Sequence, residues 1–201
     1  MVRVSLPVQQ SIDMSRTIIT NIILFQLGWF ACVLGGAYGY ALLGSLLAVV
    51  IILFHCYRAA DTLSEIRLLG LALIVGLIFE SIITWQGLAR YNHGQLFDVM
   101  APHWMILMWP LFATTLNLSM RWLKNLAPVL IALFGAAFAP LAYYAGYKLG
   151  AVEYDHLALS LSIIAITWAA LLPALVRFSL NLDGYKTVSA INGNKEANQY
   201  V

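Results

Sequence analysis

One acidic residue inside an apolar run obliges this chain to do chemistry, or at least to solve a chemical problem. Glu80 interrupts the stretch Leu69–Ile83 slightly to one side of its midpoint, where an ionised carboxylate costs at least about 2.5 to 3.5 kcal/mol on insertion scales. It must be protonated, paired or wetted. On a wheel of 100° per residue Gly76, Glu80, Thr84 and Gly87 share one narrow face, and its small residues allow a second helix to approach the acid. A companion face carries His103, Pro110, Thr114, Asn117 and Arg121, which stay within about 60° of one another. Pro110 and Pro140 free the carbonyls of Ile106 and Ala136, so a protonated Glu80, or a water beside it, is expected to act as a donor near Ile106. A third face, Asn21, Phe25, Gln26 and Trp29, covers an arc of about 140° with Gln26 near the midplane. Such side chains in lipid either bond helix to helix or orient the polar group of a guest.

Other reactive residues form weaker patterns. His93, Asp98, His103, Glu153, Asp155 and His156 could each ligate zinc, but no HExxH, HxH or paired-cysteine spacing fixes their geometry, so no metal site is assigned. No G-x-S-x-G occurs, no catalytic residue is assigned, and the sequence identifies no cofactor. Cys32 and Cys56 fall at opposite ends of neighbouring helices, too far apart to pair, and read as small packing residues.

The elements that must position these residues follow from composition. The 201 residues are 62% hydrophobic and only 10% charged, with a mean hydropathy of +0.83, which a water-soluble core cannot absorb. Six apolar stretches of roughly 20 residues each match the length needed to cross the hydrocarbon of a bilayer. They lie near Thr17–Gly35, Tyr38–Cys56, Leu68–Leu88, His103–Met120, Leu126–Tyr147 and Ala158–Phe178. Each must satisfy its own backbone in lipid, so the fold class is all-α, a bundle of six transmembrane helices. Three parts are expected: a polar segment over 1–16, the six-helix domain over 17–180, and a polar, disordered tail over 181–201. The first apolar stretch is too long for a secretion signal and reads as a retained span.

Charge orients the bundle. Arg3, Arg16, Arg58, Arg67, Arg121, Lys124, Arg177, Lys186 and Lys195 fall on one side and only Arg90 and Lys148 on the other, which places both termini in the cytoplasm. These cations flank helix ends instead of forming one basic face, and the formal net charge is only +2, so nucleic acid is excluded as a partner. The two longer outer loops, Ala89–Pro102 and Lys148–Leu157, can form a small lid.

Asn21-x3-Phe25-Gln26-x2-Trp29-Phe30, then Trp104, Trp109-x2-Phe112-x-Thr114-Thr115-Leu116-Asn117-x-Ser119, then Pro140-Leu141-Ala142-Tyr143 with Gly146 and Leu149-Gly150-Ala151, form a combined pattern. With it the chain resembles domain-of-unknown-function family 2878, from about Asn21 to Arg177. The resemblance implies a small multi-span protein of the bacterial inner membrane and no established activity. Glu65, Tyr91, Gly94 and Pro102 also match the family pattern, whereas Glu80 and Ala139 stand where aspartate and glycine are common. The added methylene of Glu80 moves its carboxyl by about 1.5 Å, one carbon–carbon bond.

Three functions fit these residues. The first is an accessory protein that holds a lipid or amphipathic small molecule between the helices, with Glu80, Gln26, Asn117, Thr84, Thr114, Trp29 and Asn21 as ligand-binding residues. The second is a small transporter or a transporter's substrate-binding subunit, in which Glu80 exchanges protons. The third is a lipid-modifying enzyme working at the outer histidine and acid residues. The bilayer is the certain partner, and the small-residue faces can equally seat a second protomer or another membrane protein.

Overall fold

A computed structural model describes residues 7–186, with side chains described from Met14 onward; Arg3, Lys195, residues 1–6 and residues 187–201 of the expected tail lie outside the described residues. Six α-helices follow in order: α1 (Pro7–Tyr38), α2 (Ala41–Arg58), α3 (Thr62–Trp85), α4 (His103–Ala113), α5 (Pro128–Lys148) and α6 (Leu157–Asn181). A 3-10 turn, Arg121–Asn125, precedes α5. The polar stretch expected over 1–16 is, from Pro7 on, the opening of α1, and a proline suits a first helical turn because its missing N–H would be unsatisfied there anyway.

The first reversal falls later than the expected break between Gly35 and Tyr38, for α1 continues through Gly35 and Gly36 to Tyr38. Both glycines admit close neighbours: a Cβ at Gly35 would lie 2.9 Å from the Tyr40 carbonyl oxygen, and one at Gly36 2.6 Å from the Trp104 ring. The chain turns instead at Gly39, whose φ of +81° lets Tyr40 N–H reach back to the Gly35 carbonyl at 2.8 Å. At the next connection Asp61 caps α3 by accepting from Ser64 N–H at 3.2 Å and from the Ser64 hydroxyl at 2.6 Å.

The fourth segment departs most from expectation. Instead of one helix over His103–Met120, α4 ends at Ala113 and the chain continues in tight turns to the 3-10 turn. Thr114 and Thr115 mark the exit: each hydroxyl donates to the carbonyl three residues earlier, at 2.7 Å, and the Thr115 amide bonds the Phe112 carbonyl at 2.9 Å, whereas the Thr114 amide still makes a helical bond to the Pro110 carbonyl at 3.1 Å. A helix in lipid cannot leave the released carbonyls bare, and the Asn21 amide takes that of Thr114 at 3.3 Å. The exit is possible because protein surrounds it. Short α4 is the centre of the bundle, packed against α1, α2 and α3, while α5 and α6 pair with each other.

Among the described residues, five helices (all but α4) are long and apolar enough to cross a membrane, and between 22% and 39% of each is buried inside the protein. The remaining apolar surface faces outward, as in the row Leu42, Leu43, Leu46, Leu47, Val50 and Leu53 along α2. The chain is therefore a multi-pass helical membrane protein. At one end the two longer loops are tied: Arg90 and Glu153 exchange backbone hydrogen bonds at 2.9 and 2.8 Å, and the Arg90 guanidinium pairs with Asp155.

Candidate functional site

Gly76 is where the site begins. Without a side chain on α3 at that point, the Trp109 indole of α4 lies against the helix; a Cβ would sit 2.2 Å from its Cγ. One turn further along α3, Glu80 is fully buried, and Trp109 Nε1 donates to its Oε1 at 2.9 Å. The Tyr143 hydroxyl, from the C-terminal half of α5, donates to the same oxygen. The small-residue face thus admits another helix to the acid, as its spacing predicts. Among the described residues Glu80 makes no bond to the Ile106 carbonyl: the indole and the phenol converge on Oε1, and Oε2 has no partner.

The other carboxyl oxygen is less settled. Among the described residues, Glu80 Oε2, Tyr91 OH, Tyr154 OH and Trp168 Nε1 are buried side-chain atoms without a hydrogen-bond partner. The Tyr91 hydroxyl faces Glu80 at interacting range without reaching bonding geometry, and the Tyr154 hydroxyl is near enough to feel the same charge. Burial, and secondarily the neighbouring acid, pushes both phenols well above the usual tyrosine value, so they remain protonated donors. The Trp168 ring stacks on Trp109 at 4.8 Å between centroids. The tied outer loops close over this cluster, bringing Tyr91 from one and Tyr154 from the other.

Beside the cluster runs an apolar cleft of about 200 Å³. Phe25 and Trp29 of α1 face Phe138, Ala142 and Tyr143 of α5 across it, with Met108 and Trp109 of α4 and Trp168 of α6 forming its floor. A smaller hollow of about 40 Å³ continues toward the outer loops and shares Trp29, Met108 and Tyr143 with it. Both residues that donate to Glu80 therefore line the cleft.

The seven expected ligand residues are not one group. Glu80 and Trp29 belong to this region, Trp29 on the cleft wall. Gln26 is exposed on the outer surface of α1, away from the interior expected for it: its helix turns Asn21 and Gly28 inward and leaves Gln26 and Leu27 outside. The Thr84 hydroxyl donates to the Glu80 backbone carbonyl at 2.8 Å, the ordinary recourse of a threonine inside a helix. Asn21 and Thr114 meet near the opposite end, where the Ser119 hydroxyl donates to Asn21 Oδ1 at 2.6 Å.

Asn117 belongs to a buried polar network at that same far end. Its amide donates to Glu65 Oε1 at 2.5 Å and to the Leu182 carbonyl at 2.8 Å, while its Oδ1 accepts from Lys124 Nζ at 2.6 Å. Glu65, fully buried, also accepts from Gly184 N–H and pairs with His55 Nε2, both at 2.8 Å. Asp183 takes Lys124 at 2.8 Å and Arg121 at 2.6 Å. Residues 182–185, expected to open a disordered tail, are thereby packed: Lys124 binds the Asp183 side chain and the buried Glu65 binds the Gly184 backbone N–H.

The outer histidines are employed one by one. His93 Nδ1 bonds the Gly36 carbonyl at 3.1 Å, and His103 Nδ1 shares a 2.6 Å hydrogen bond with Ser45 of α2. Among the described residues no three His, Cys, Asp or Glu side chains gather as a metal site would require.

Sequence reading misses Tyr91, Tyr143, Tyr154, Trp109 and Trp168 as members of the Glu80 site. Aromatic residues near helix ends usually belong to the interfacial belt, and nothing in their spacing separates those turned inward.

A family model described as "Protein of unknown function (DUF2878)" matches residues 18–174, most of the chain, which therefore belongs to that family. No curated protein and no solved structure matches it.

Proposed function

We propose that this DUF2878 protein is a bacterial inner-membrane binding protein that holds a lipid or other amphipathic molecule, its apolar part in the cleft between α1 and α5 and its polar group beside Glu80. One observation carries this reading. Four buried polar atoms lack partners among the described residues, one an oxygen of the Glu80 carboxyl itself and the others on Tyr91, Tyr154 and Trp168, and the two donors to that carboxyl, Trp109 and Tyr143, form part of the cleft wall. Each such orphan costs about 1 to 3 kcal/mol, so a guest bearing a hydroxyl, amide or carbonyl gains bonds that the empty protein forgoes. The cleft itself is lined by aromatic and thioether side chains, which suit an acyl or prenyl chain.

Both termini face the cytoplasm in this reading. Arg16, Arg58, Arg67, Arg121, Lys124, Arg177 and Lys186 gather at one end of the bundle, against Arg90 and Lys148 at the other. Exposed Tyr38, Tyr40 and Trp85 mark the outer boundary, with Tyr57 and Trp122 at the inner one. The Glu80 site then lies in the outer half of the membrane.

Native mass spectrometry of the detergent-extracted chain tests the proposal. A co-purifying amphipathic molecule should be retained by the wild type and lost from Glu80→Gln, while the melting temperature moves little because Gln keeps an oxygen for Trp109 and Tyr143. An unloaded wild type, or ligand and stability lost together, would return Glu80 to a purely structural role.

A further inference from the structure

We propose a second site, independent of the Glu80 reading: a cleft at the basic end of the bundle that binds a phosphate group. This cleft, of about 430 Å³, opens between α1, α2 and the turns that follow α4. Because α1 and α2 are antiparallel, Arg16 near the start of one and Arg58 at the end of the other arrive at the same mouth. Neither arginine is in an ion pair among the described residues; the Arg58 guanidinium lies 6.0 Å above the Phe54 ring. Two guanidinium forks at one cavity suit the oxygens of a phosphate, since each can bind two oxygens at once.

The rest of the lining agrees. Thr20 and Asn21 sit one turn along α1 from Arg16, and Tyr185 closes the opposite wall. Asn21 is held by Thr114 and Ser119, and Tyr185 by a 2.7 Å bond from its hydroxyl to the His55 carbonyl, so these walls are fixed before anything binds. Among the described residues no Asp or Glu lines the cleft. The carboxylate behind it, Glu65, is fully buried and already bonded by His55, Asn117 and Gly184. Beneath the polar rim, Leu24, Ile51 and Phe54 form an apolar floor that can take the glycerol and first methylenes of a lipid.

A phosphate of this kind arrives either as the headgroup of an anionic lipid or as a free phosphorylated solute. The full chain, purified in detergent, is to be titrated with dioleoylphosphatidylglycerol, with dioleoylphosphatidylcholine and with inorganic phosphate, and bound adducts counted by native mass spectrometry. Phosphatidylglycerol retained in preference to phosphatidylcholine, and bound at least about tenfold more weakly by Arg16→Gln/Arg58→Gln, establishes a headgroup site. Inorganic phosphate held with the same dependence on the two arginines establishes a free-anion site. The exposed pair Arg67→Gln/Arg177→Gln removes equal charge outside the cleft and should leave binding unchanged. Arg16→Lys/Arg58→Lys, which keeps the charge and loses the forks, should bind between the wild type and the glutamine pair. Equal weakening in both glutamine pairs, no selectivity between the two lipids without phosphate binding, or no adduct at all would overturn the proposal.

Discussion

Adding a single methyl group at Gly76 should separate Glu80 from α4. The new Cβ of Gly76→Ala would lie 2.2 Å from Trp109 Cγ and 2.7 Å from its Cβ, atoms at the root of the side chain that cannot swing aside. Ordinary contact begins at 3.4 Å, so the indole and its helix must retreat by about 1.2 Å. The Trp109–Glu80 hydrogen bond, now 2.9 Å, then exceeds bonding range. Overpacking costs about 1 to 3 kcal/mol and a lost interhelical hydrogen bond about 0.6 to 1.7, while alanine's better helix propensity returns about 1, leaving a net loss of about 1 to 4 kcal/mol. Unfolding of the purified protein in mixed detergent measures this. Near-ultraviolet circular dichroism should report the same event, because Trp109 stacks on Trp168 and the displacement disturbs that pair. A third measurement isolates the cause: Trp109→Phe, which removes the indole N–H, should cost less in the Gly76→Ala background than alone, since the bond to Glu80 is already gone. Unchanged stability with an unchanged aromatic spectrum, or strictly additive costs, would refute the link from glycine through tryptophan to the acid.

Close approach of α5 to α6 gives a paired prediction: a Cβ at Gly135 would meet the Trp168 carbonyl oxygen at 2.4 Å, whereas Gly70 on α3 has nothing within 4 Å. Gly135→Ala should destabilise by about 1 to 3 kcal/mol and Gly70→Ala should stabilise by about 0.5 to 1, both read from the same unfolding curves. Deleting the chain after Asn181 removes the partners that Asp183 and Gly184 provide to Lys124 and Glu65, so the melting temperature should fall by several degrees; deletion after Lys186 should be the milder of the two. Hydrogen bonds from the Ser64 hydroxyl, and then its backbone N–H, hold the Asp61 carboxyl below its ordinary value of 3.8. Its contribution is full above that value and disappears as pH falls further, so acid should lower the wild-type melting temperature more than that of Asp61→Asn.

Particular residues show where sequence reading reaches and where it stops. The stripe Gly76, Glu80 and Thr84 is legible because helical periodicity is local: three positions on one face stay there whatever packs against them. The same logic fails for Gln26. An arc of residues defines a face, but which edge of it meets protein and which meets lipid depends on where α2 and α4 lie, and a glutamine at the edge falls outside. α4 is misjudged in length because its apolar composition supports a full span, while the decision to leave the helix at Thr114 depends on Asn21, ninety-three positions earlier, to take the released carbonyl. Asn117 fits the expected face but serves Glu65 at the other end of the bundle from Glu80, a distance that angular position alone does not convey.

By itself, then, the order of residues determined what lipid enforces everywhere: helical spans, their approximate number, and an acid that needs protein around it, because the cost of exposed backbone and charge in hydrocarbon does not depend on partners. The tertiary structure decided which oxygen of Glu80 is satisfied, that Tyr91 and Tyr154 arrive on loops tied by Arg90 and Glu153, and that the expected ligand residues divide between two ends. Those outcomes come from contacts between elements far apart in the chain, and helical periodicity carries no information about such distances.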